Sequence, residues 1–457
     1  MEHTDWAAYL NGSAACSCGR GHNAGLKTVM LAENALEQLP GWIARQGYGH
    51  IFVVSDCHTE AVAGQRVKAL LRKAGLAVSA WVYPDPALVP DEAAIGRLFI
   101  ALPPEADLIL AVGTGTLGDL CRFASFKRGI PFLTAATAPS MDGFSSNVAP
   151  LIVDHLKTTF EAQVPLAVFG DLDLLRRAPM EMIAAGVGDI LGKHVCLLDW
   201  RVSHLVTGEY HCGRIESMVE KSIQAVTEGA GGLPARRAES VQAVMEALVL
   251  SGVAISYAGN SRPASGSEHH LSHYWEMQFL FSGKPPVLHG AKVAVGTVAA
   301  VWLYRALLRG PVDFDRAREH AAAFDAAQWE TDVRSAYGPA AEGVLALERQ
   351  TGKNDPGQVM RRIDALEQNW PKITALIRER LPALEDLISL LRGLGAPYRP
   401  DQLGIADKMV ADAVRFAKDL RNRYGLLQLL FDLGLQRELA AGLLDFFAAE
   451  RDRDAAR

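Results

Sequence analysis

Short apolar runs alternate with amphipathic stretches through the first third of the chain. The apolar runs predict β-strands at residues 50–56, 78–85, 107–115 and 130–140, and the amphipathic stretches predict helices at residues 59–75, 91–102 and 116–129. Strands that alternate with helices of this length are typical of βαβ units around a parallel sheet. The pattern therefore predicts an α/β domain in the N-terminal part of the chain.

Helical periodicity dominates from about residue 165 onward. We therefore predict two domains, an α/β domain at residues 1–164 and an all-helical domain at residues 165–457. The most apolar long stretch, residues 293–308, contains Arg305 and is shorter than the roughly 20 residues that cross a bilayer, so it predicts a buried helix. The N-terminus lacks the pattern of a signal peptide, which favours a cytoplasmic protein without membrane insertion.

Charge and cysteine content narrow the class of protein. The net charge of −6 and the lack of Lys/Arg blocks argue against a partner that is a nucleic acid or an anionic membrane surface. Six cysteines in 457 residues are too few for a disulfide framework. The segment CSCGRGH, with Cys16, Cys18 and His22, resembles a metal-binding motif. Its C-x-C spacing lacks the two-residue gap of common zinc knuckles, so we favour a structural or incidental role.

A glycine-rich turn, VGTGTLGDL at residues 112–120, follows a predicted strand and opens a predicted helix. Gly113, Gly115 and Gly118 would let a pyrophosphate approach the N–H groups of the helix N-terminus. A tight strand–helix turn is an equal alternative, because the spacing differs from G-x-G-x-x-G. Asp56 ends an earlier strand, where it would either bind a ribose hydroxyl, which favours NAD slightly over NADP, or cap the next helix.

Four histidines lie between residues 269 and 289. His269 and His273 are four residues apart in SGSEHHLSH and would share one face of a helix, whereas His270 would point away. Imidazole suits zinc, iron and nickel, and a carboxylate often supplies a third ligand. His289 in VLHGAKVAVGT could be the second imidazole, and Asp189 in AAGVGDILGKH could be the carboxylate. The cluster therefore predicts a catalytic metal site.

Four segments together resemble one enzyme family. They match the sn-glycerol-1-phosphate dehydrogenase family, which belongs to the superfamily of iron-containing alcohol dehydrogenases and dehydroquinate synthases. The resemblance covers roughly residues 25–300, and the combination of PSMDG with SGSEHxxxH is its most specific part. The segments are GTGTLGDLCRFASFKRGIPFLTAATAPSMDGFSSNVAPL (113–151), GVGDILGK (186–193), SRPASGSEHHLSH (261–273) and LHGAKVAVGT (288–297).

The resemblance implies a Rossmann-like dinucleotide-binding domain, a helical domain and an active site in the cleft between them. It implies NADH- or NADPH-linked reduction of dihydroxyacetone phosphate to sn-glycerol 1-phosphate, a step in lipid biosynthesis. It places one divalent metal ion, zinc or nickel with iron as a further option, on Asp189, His269 and His289. It places substrate contacts on Asp142, Asp189 and His273. Together with Asp56, the predicted cofactor contacts are Gly115, Thr116, Leu117, Gly118, Asp119, Thr137, Ala138, Pro139, Ser140 and Ser146.

The expected chemistry is hydride transfer to a ketone that the metal ion polarises as a Lewis acid. Either His273 or a water on the metal would return the final proton. Lys193 and Arg262 are candidates for the substrate phosphate, and a structural ion pair is the alternative for each. The helices beyond residue 310 favour a homodimer or a larger assembly.

Three other functions stay open on the sequence. A dehydroquinate synthase is disfavoured, because SSNVAPL at residues 145–151 has no lysine where that family has a GGK segment. The synthase also uses Glu where this chain has Asp189. A glycerol or polyol dehydrogenase would act on an unphosphorylated substrate. A non-catalytic metal-binding protein could keep the fold and lose the reaction.

Overall fold

The computed structural model describes residues 4–13, 15–153 and 156–456. The chain divides into two compact units. The first unit comprises Met1–Ile190 and Gly213–Ser261, and the second comprises Leu191–Cys212 and Arg262–Arg457.

The described residues of the first unit form the strands and helices whose bounds follow. The last part of one of these helices, α8, belongs to the second unit instead. The strands are β1 (Thr28–Ala32), β2 (His50–Asp56), β3 (Ala77–Tyr83), β4 (Leu108–Gly113), β5 (Phe132–Ala136), β6 (Val148–Val153), β7 (Leu156–Glu161) and β8 (Ala167–Asp171). The helices are α1 (Trp6–Leu10), α2 (Ala35–Arg45), α3 (Cys57–Thr59), α4 (Gln65–Lys73), α5 (Glu92–Ala101), α6 (Gly115–Arg128), α7 (Leu172–Leu175), α8 (Met180–Thr207), α9 (Gly213–Gly229) and α10 (Ala238–Ala258).

Six strands form a parallel sheet in the order β1-β8-β5-β4-β2-β3. Helices cover both faces of such a sheet, so its strands read as continuous apolar runs. In β2, Ile51 and Val53 join the apolar core on one face, whereas Phe52 and Val54 join the core on the other. The predicted α/β fold is therefore confirmed, with β2 at the predicted residues.

The sheet also takes a strand from beyond residue 164. β8 lies between β1 and β5, although the sequence pattern assigned its residues to the helical part of the chain. A buried run of five residues is too short for periodicity to distinguish a strand from a helix segment. Helices α9 and α10 also belong to the first unit, so the contacts do not divide the chain at the predicted domain boundary of 164/165. The remaining strands, β6 and β7, pair with each other as an antiparallel hairpin.

The second unit is helical in its described residues. Besides the last part of α8, it contains α11 (Ser267–Phe281), α12 (His289–Ala306), α13 (Phe314–Ala322), α14 (Ala326–Tyr337), α15 (Ala341–Thr351), α16 (Pro356–Arg380), α17 (Leu384–Gly393), α18 (Asp407–Phe416), α19 (Leu426–Asp432) and α20 (Gln436–Ala455). Helix α12 is buried along nearly its whole length, as its apolar sequence predicts. Among the described helices, α10 has the length and hydropathy of a membrane span, but 83% of its most apolar window is buried within the protein. Burial of that kind is typical of a core helix.

Candidate metal and cofactor sites

The order in which strands are added to the sheet reverses between β2 and β4. Strand β3 lies beyond β2 on one side of this pair, and β5 and β8 lie beyond β4 on the other. In open parallel sheets, ligands bind at the carboxyl ends of the strands where the order reverses. Asp56 ends β2 and Gly113 ends β4, so both candidates flank this crevice.

The glycine turn is tight on one side and open on the other. A Cβ on Gly113 would lie 2.4 Å from the Leu117 side chain, and a Cβ on Gly115 would lie 3.3 Å from Met141. At Gly118, in the first turn of α6, a Cβ would meet no atom within 4 Å. The first two glycines therefore permit the strand–helix turn itself. The open side at Gly118 leaves room beside the helix N-terminus, where backbone N–H groups attract an anion.

Asp119 links the glycine turn to the loop that follows β5. Its carboxylate forms a 2.6 Å ion pair with Arg122, whose guanidinium also donates to the carbonyls of Val148, at 3.2 Å, and Gly143. Burial raises the pKa of Asp119 to about 6, and Arg122 opposes part of that rise. The Asp119 side chain is thus engaged in holding the glycine turn against the loop.

Asp56 caps the short helix that follows β2. Its Oδ1 accepts hydrogen bonds from the N–H groups of His58, at 2.9 Å, and Thr59, at 2.7 Å. Thr59 Oγ1 in turn accepts from the Asp56 N–H at 2.9 Å, which completes a capping box. The cap role is therefore observed, and the ribose role stays a prediction.

The loop after β5 is buried because two glycines let helices of the first unit approach it. A Cβ on Gly186 of α8 would lie 2.0 Å from the carbonyl oxygen of Pro139. A Cβ on Gly252 of α10 would lie 2.3 Å from Oγ of Ser145. Any larger residue at either position would displace the loop backbone. The predicted cofactor contacts that this loop carries, all buried, are Thr137, Ala138, Pro139, Ser140 and Ser146.

Two predicted active-site carboxylates are connected in the first unit. The backbone N–H of Asp142 donates to Oδ2 of Asp189 at 3.0 Å, and Oγ of Ser251 donates to Oδ2 of Asp142 at 2.9 Å. Asp189 is fully buried on α8. A buried carboxylate that accepts a backbone hydrogen bond has a fixed orientation, which a metal ligand requires. Ser251 is a residue that the sequence analysis did not identify.

Three of the predicted histidines come together in the second unit. The ring centroid of His269 lies 5.9 Å from that of His273 and 5.2 Å from that of His289, and the last two are 5.9 Å apart. His269 and His273 share one face of α11, as their spacing predicts, and His289 begins α12. The two helices pack closely because Gly296 has no side chain. A Cβ at that position would lie 2.4 Å from the backbone oxygen of Glu268.

Glu268 orients the first of these histidines. Its Oε1 lies 2.6 Å from Nδ1 of His269 and also accepts the N–H of Gly266 at 2.9 Å. A carboxylate on one ring nitrogen fixes the tautomer and leaves the other nitrogen to bind a metal ion. Glu268 is fully buried. The donor set of two imidazoles with an oriented carboxylate beside them fits a divalent metal ion.

Glu276 is a further residue that sequence reasoning missed. It lies on the same helix as His273, and their ligand atoms and that of His289 are all within 4.8 Å of one another. The i,i+3 spacing of His273 and Glu276 is the signal that could have identified it. Its carboxylate lies 3.5 Å from Nζ of the buried Lys292. The second unit thus offers one carboxylate of its own near two of the histidines.

The phosphate candidates have structural partners. Nε of Arg262 donates to both carboxylate oxygens of Glu209, at 2.9 and 3.0 Å, and its Nη2 donates to the carbonyl of Tyr424 at 2.6 Å. The alternative of a structural ion pair is therefore observed for Arg262. Nζ of Lys193 donates to the carbonyl of Ala264 at 2.8 Å.

Comparisons with known proteins identify the family of this chain. Residues 30–179 match the family described as iron-containing alcohol dehydrogenase. The chain is 36% identical to glycerol-1-phosphate dehydrogenase [NAD(P)+] of Halalkalibacterium halodurans, over 91% of this chain and 95% of that protein. It is 32% identical to the protein of the same name from Bacillus licheniformis, over 92% and 93% of the two chains.

A solved structure of glycerol dehydrogenase from Schizosaccharomyces pombe shares the fold. It superposes with a TM-score of 0.60 at 15% identity and covers 92% of this chain and 91% of that one. The predicted family and fold class are both confirmed. On these similarities, the chain belongs to the glycerol-1-phosphate dehydrogenase family, among the iron-containing alcohol dehydrogenases.

Proposed function

We propose that this protein reduces dihydroxyacetone phosphate to sn-glycerol 1-phosphate with NADH or NADPH, and catalyses the reverse oxidation. The observation that carries the proposal is the oriented histidine cluster of the second unit, in a chain whose curated relatives bear the name of that enzyme. We assign the divalent metal ion to Asp189, His269 and His289. Zinc and nickel are the first candidates, and iron is the next.

Each proposed ligand is supported by its own surroundings. Glu268 holds the His269 ring through Nδ1, so that Nε2 is the donor atom toward the ion. The N–H of Asp142 holds the carboxylate of the fully buried Asp189. His289 stands at the start of α12, with its ring 5.2 Å from that of His269. When bound, a divalent ion supplies Lewis-acid polarisation of the substrate ketone.

The remaining residues bind the cofactor and the substrate. The N-terminus of α6 at Gly115 to Asp119 would bind the cofactor pyrophosphate beside the open position of Gly118. Asp142, held by Ser251, would accept a hydrogen bond from a substrate hydroxyl group. His273 adjoins both His269 and His289, and from there it would contact the substrate and return the final proton to the product oxygen.

The first experiment measures oxidation of NADH and NADPH by protein that has been stripped of metal and reloaded separately with zinc, nickel or iron. Dihydroxyacetone phosphate and unphosphorylated dihydroxyacetone are offered in parallel. Metal-dependent turnover that strongly favours the phosphorylated ketone supports the proposal, and chiral analysis of the product tests its stereochemistry. Preference for the unphosphorylated ketone would indicate a polyol dehydrogenase. A protein that retains metal but binds neither nicotinamide cofactor would indicate a non-catalytic member of the fold.

Ligand variants test the metal assignment. We expect His269→Ala and His289→Ala to lose bound metal and turnover together. Asp142→Asn should keep the metal and raise the KM for substrate. His204→Gln, an exposed histidine outside the cluster, is the matched control. Full metal content in His269→Ala would show that the ligand assignment is wrong.

We further propose that the protein is cytoplasmic and that it forms a homo-oligomer. The helices beyond residue 310 have no part in the proposed reaction, which leaves them available for contacts between subunits. Light scattering coupled to size-exclusion chromatography measures the mass in solution. A mass of one chain at micromolar concentration would contradict this proposal.

A further inference from the structure

The segment CSCGRGH, which the proposed reaction does not use, brings two thiols and an imidazole together in the first unit. The ligand atoms of Cys16, Cys18 and His22 all lie within 4.8 Å of one another. Thiolate sulfur and imidazole nitrogen are preferred ligands of structural zinc ions. We propose that Cys16, Cys18 and His22 bind a zinc ion, separate from the catalytic metal and independent of the proposed reaction.

The spacing of two of the ligand atoms matches a tetrahedral zinc site. Sγ of Cys18 lies 3.5 Å from Nε2 of His22. A sulfur at about 2.3 Å and a nitrogen at about 2.05 Å from a tetrahedral zinc ion stand about 3.6 Å apart. The two atoms are thus already at the separation that the ion requires.

The hydrogen bond of His22 selects the tautomer that a metal ligand needs. Nδ1 lies 3.1 Å from the carbonyl oxygen of Tyr257, which can only accept, so Nδ1 carries the proton. Nε2 then has a lone pair and faces Cys18. His22 is only 4% exposed, and its ring stacks on that of Tyr257 at 5.1 Å. A second partner on the distal nitrogen is the usual arrangement for a zinc-bound histidine.

Backbone hydrogen bonds hold the described residues of the segment in place. Ser13 and His22 exchange two hydrogen bonds, of 2.9 and 2.7 Å, which close the loop between them. Within the loop, the N–H of Gly19 donates to the carbonyl of Cys16 at 2.9 Å, and Gly19 has φ of +83°. This turn contains both cysteines, and their ligand atoms lie in one cluster with that of His22, whereas the sequence alone favoured an incidental role.

Binding of zinc would release the thiol protons of Cys16 and Cys18 to solvent, because the thiolates are the ligands. Three protein ligands leave one tetrahedral position. A water molecule would take this position.

The test counts zinc in the purified full-length protein by elemental mass spectrometry. It uses the His269→Ala background, in which we expect the catalytic ion to be lost, and it reads the difference in zinc per chain between that background and each further variant. Any zinc retained at the catalytic site then cancels, so failure of the proposed function does not affect the result. We expect about one zinc per chain, lost in Cys18→Ser and in His22→Gln and kept in Cys57→Ser, a partly exposed cysteine of the same unit that serves as control. Folded Cys18→Ser and His22→Gln proteins that keep this zinc would overturn the proposal.

A spectroscopic measurement on the unsubstituted protein covers the case in which those variants fail to fold. Cobalt(II) replaces zinc, and the absorption from thiolate-to-cobalt charge transfer is recorded in the near ultraviolet. The proposed catalytic ligands contain no sulfur, so only a cysteine site produces this absorption. Cobalt-loaded protein without the absorption would overturn the proposal. An intensity equal to that of two thiolates supports it.

Discussion

The buried carboxylate of Glu268 offers the sharpest test of the metal site. It is fully buried, and Oε1 accepts hydrogen bonds from His269 Nδ1 at 2.6 Å and from Gly266 N at 2.9 Å. Glu268→Gln keeps the size of the side chain and an oxygen acceptor, but it removes the negative charge. We expect His269 to become a weaker ligand, because the charge on the carboxylate raises the basicity of the imidazole.

Two independent arguments give similar estimates of the loss of zinc affinity in Glu268→Gln. Replacing the carboxylate that supports a metal-bound histidine weakens metal affinity by roughly 10- to 100-fold, or about 1.4 to 2.7 kcal/mol. A hydrogen bond to a charged group contributes about 1.5 to 3 kcal/mol, against about 0.5 to 1.5 for a neutral one, which is a difference of about 1 to 1.5 kcal/mol. We therefore expect Glu268→Gln to bind zinc about tenfold more weakly.

The assay is competition between the protein and a chromophoric zinc chelator, followed by activity at saturating zinc. Turnover should recover largely at high zinc concentration, since the ligands themselves are intact. Glu246→Gln is the matched control, because Glu246 is also buried but accepts hydrogen bonds from Gln242 and Thr4 in the first unit. A zinc affinity of Glu268→Gln within threefold of the unsubstituted protein would refute the reasoning.

Three further outcomes are expected. Gly186→Ala should lower the free energy of unfolding by about 1 to 3 kcal/mol and raise the KM for the cofactor, because its Cβ would lie 2.0 Å from the Pro139 oxygen. The control Gly96→Ala should not destabilise the protein, since its Cβ would meet no atom within 4 Å. Equal melting temperatures of the two variants would contradict this prediction. Burial lowers the pKa of His194 to about 4, so the unfolded chain takes up the proton first as pH falls from 6.5 to 4. Stability should therefore fall across that window by up to about 3 kcal/mol, and His194→Gln should flatten denaturant midpoints plotted against pH; an unchanged slope would contradict it. Asp142→Asn should raise the KM for substrate more than it changes cofactor affinity, and an unchanged KM would exclude the proposed contact.

The sequence predicted the elements with long or well-bounded patterns. β2 was predicted at its observed residues because an uninterrupted apolar run ends at Asp56, a helix-capping residue. β8 was missed because a five-residue apolar run has no period of its own. The β6–β7 hairpin was missed because Pro150 interrupts the run, and proline is tolerated only where a strand has an unpaired edge.

Part of the candidate site could likewise be predicted from the sequence, and part could not. The spacing of His269 and His273 predicted a shared helix face, since four residues make about one turn. The role of Glu268 could not be predicted, because a glutamate in the first turn of a helix usually interacts with the helix dipole in solvent. The zinc site at Cys16 depends on the Tyr257 carbonyl, which is more than 200 residues away along the chain, so local spacing alone favoured the opposite interpretation.

The position of β8 in the sheet has a consequence for the order of folding. A nascent chain that has emerged only to residue 164 lacks the strand that joins β1 to β5, so β1 has no partner in the sheet. The first unit also needs α10, whose Gly252 packs on Ser145, and that helix is synthesised after the first segment of the second unit. On the ribosome, the first unit therefore cannot close before about residue 258 has left the exit tunnel. An N-terminal fragment that ends at residue 164 would expose one edge of the interior strand β5 and leave β1 unpaired.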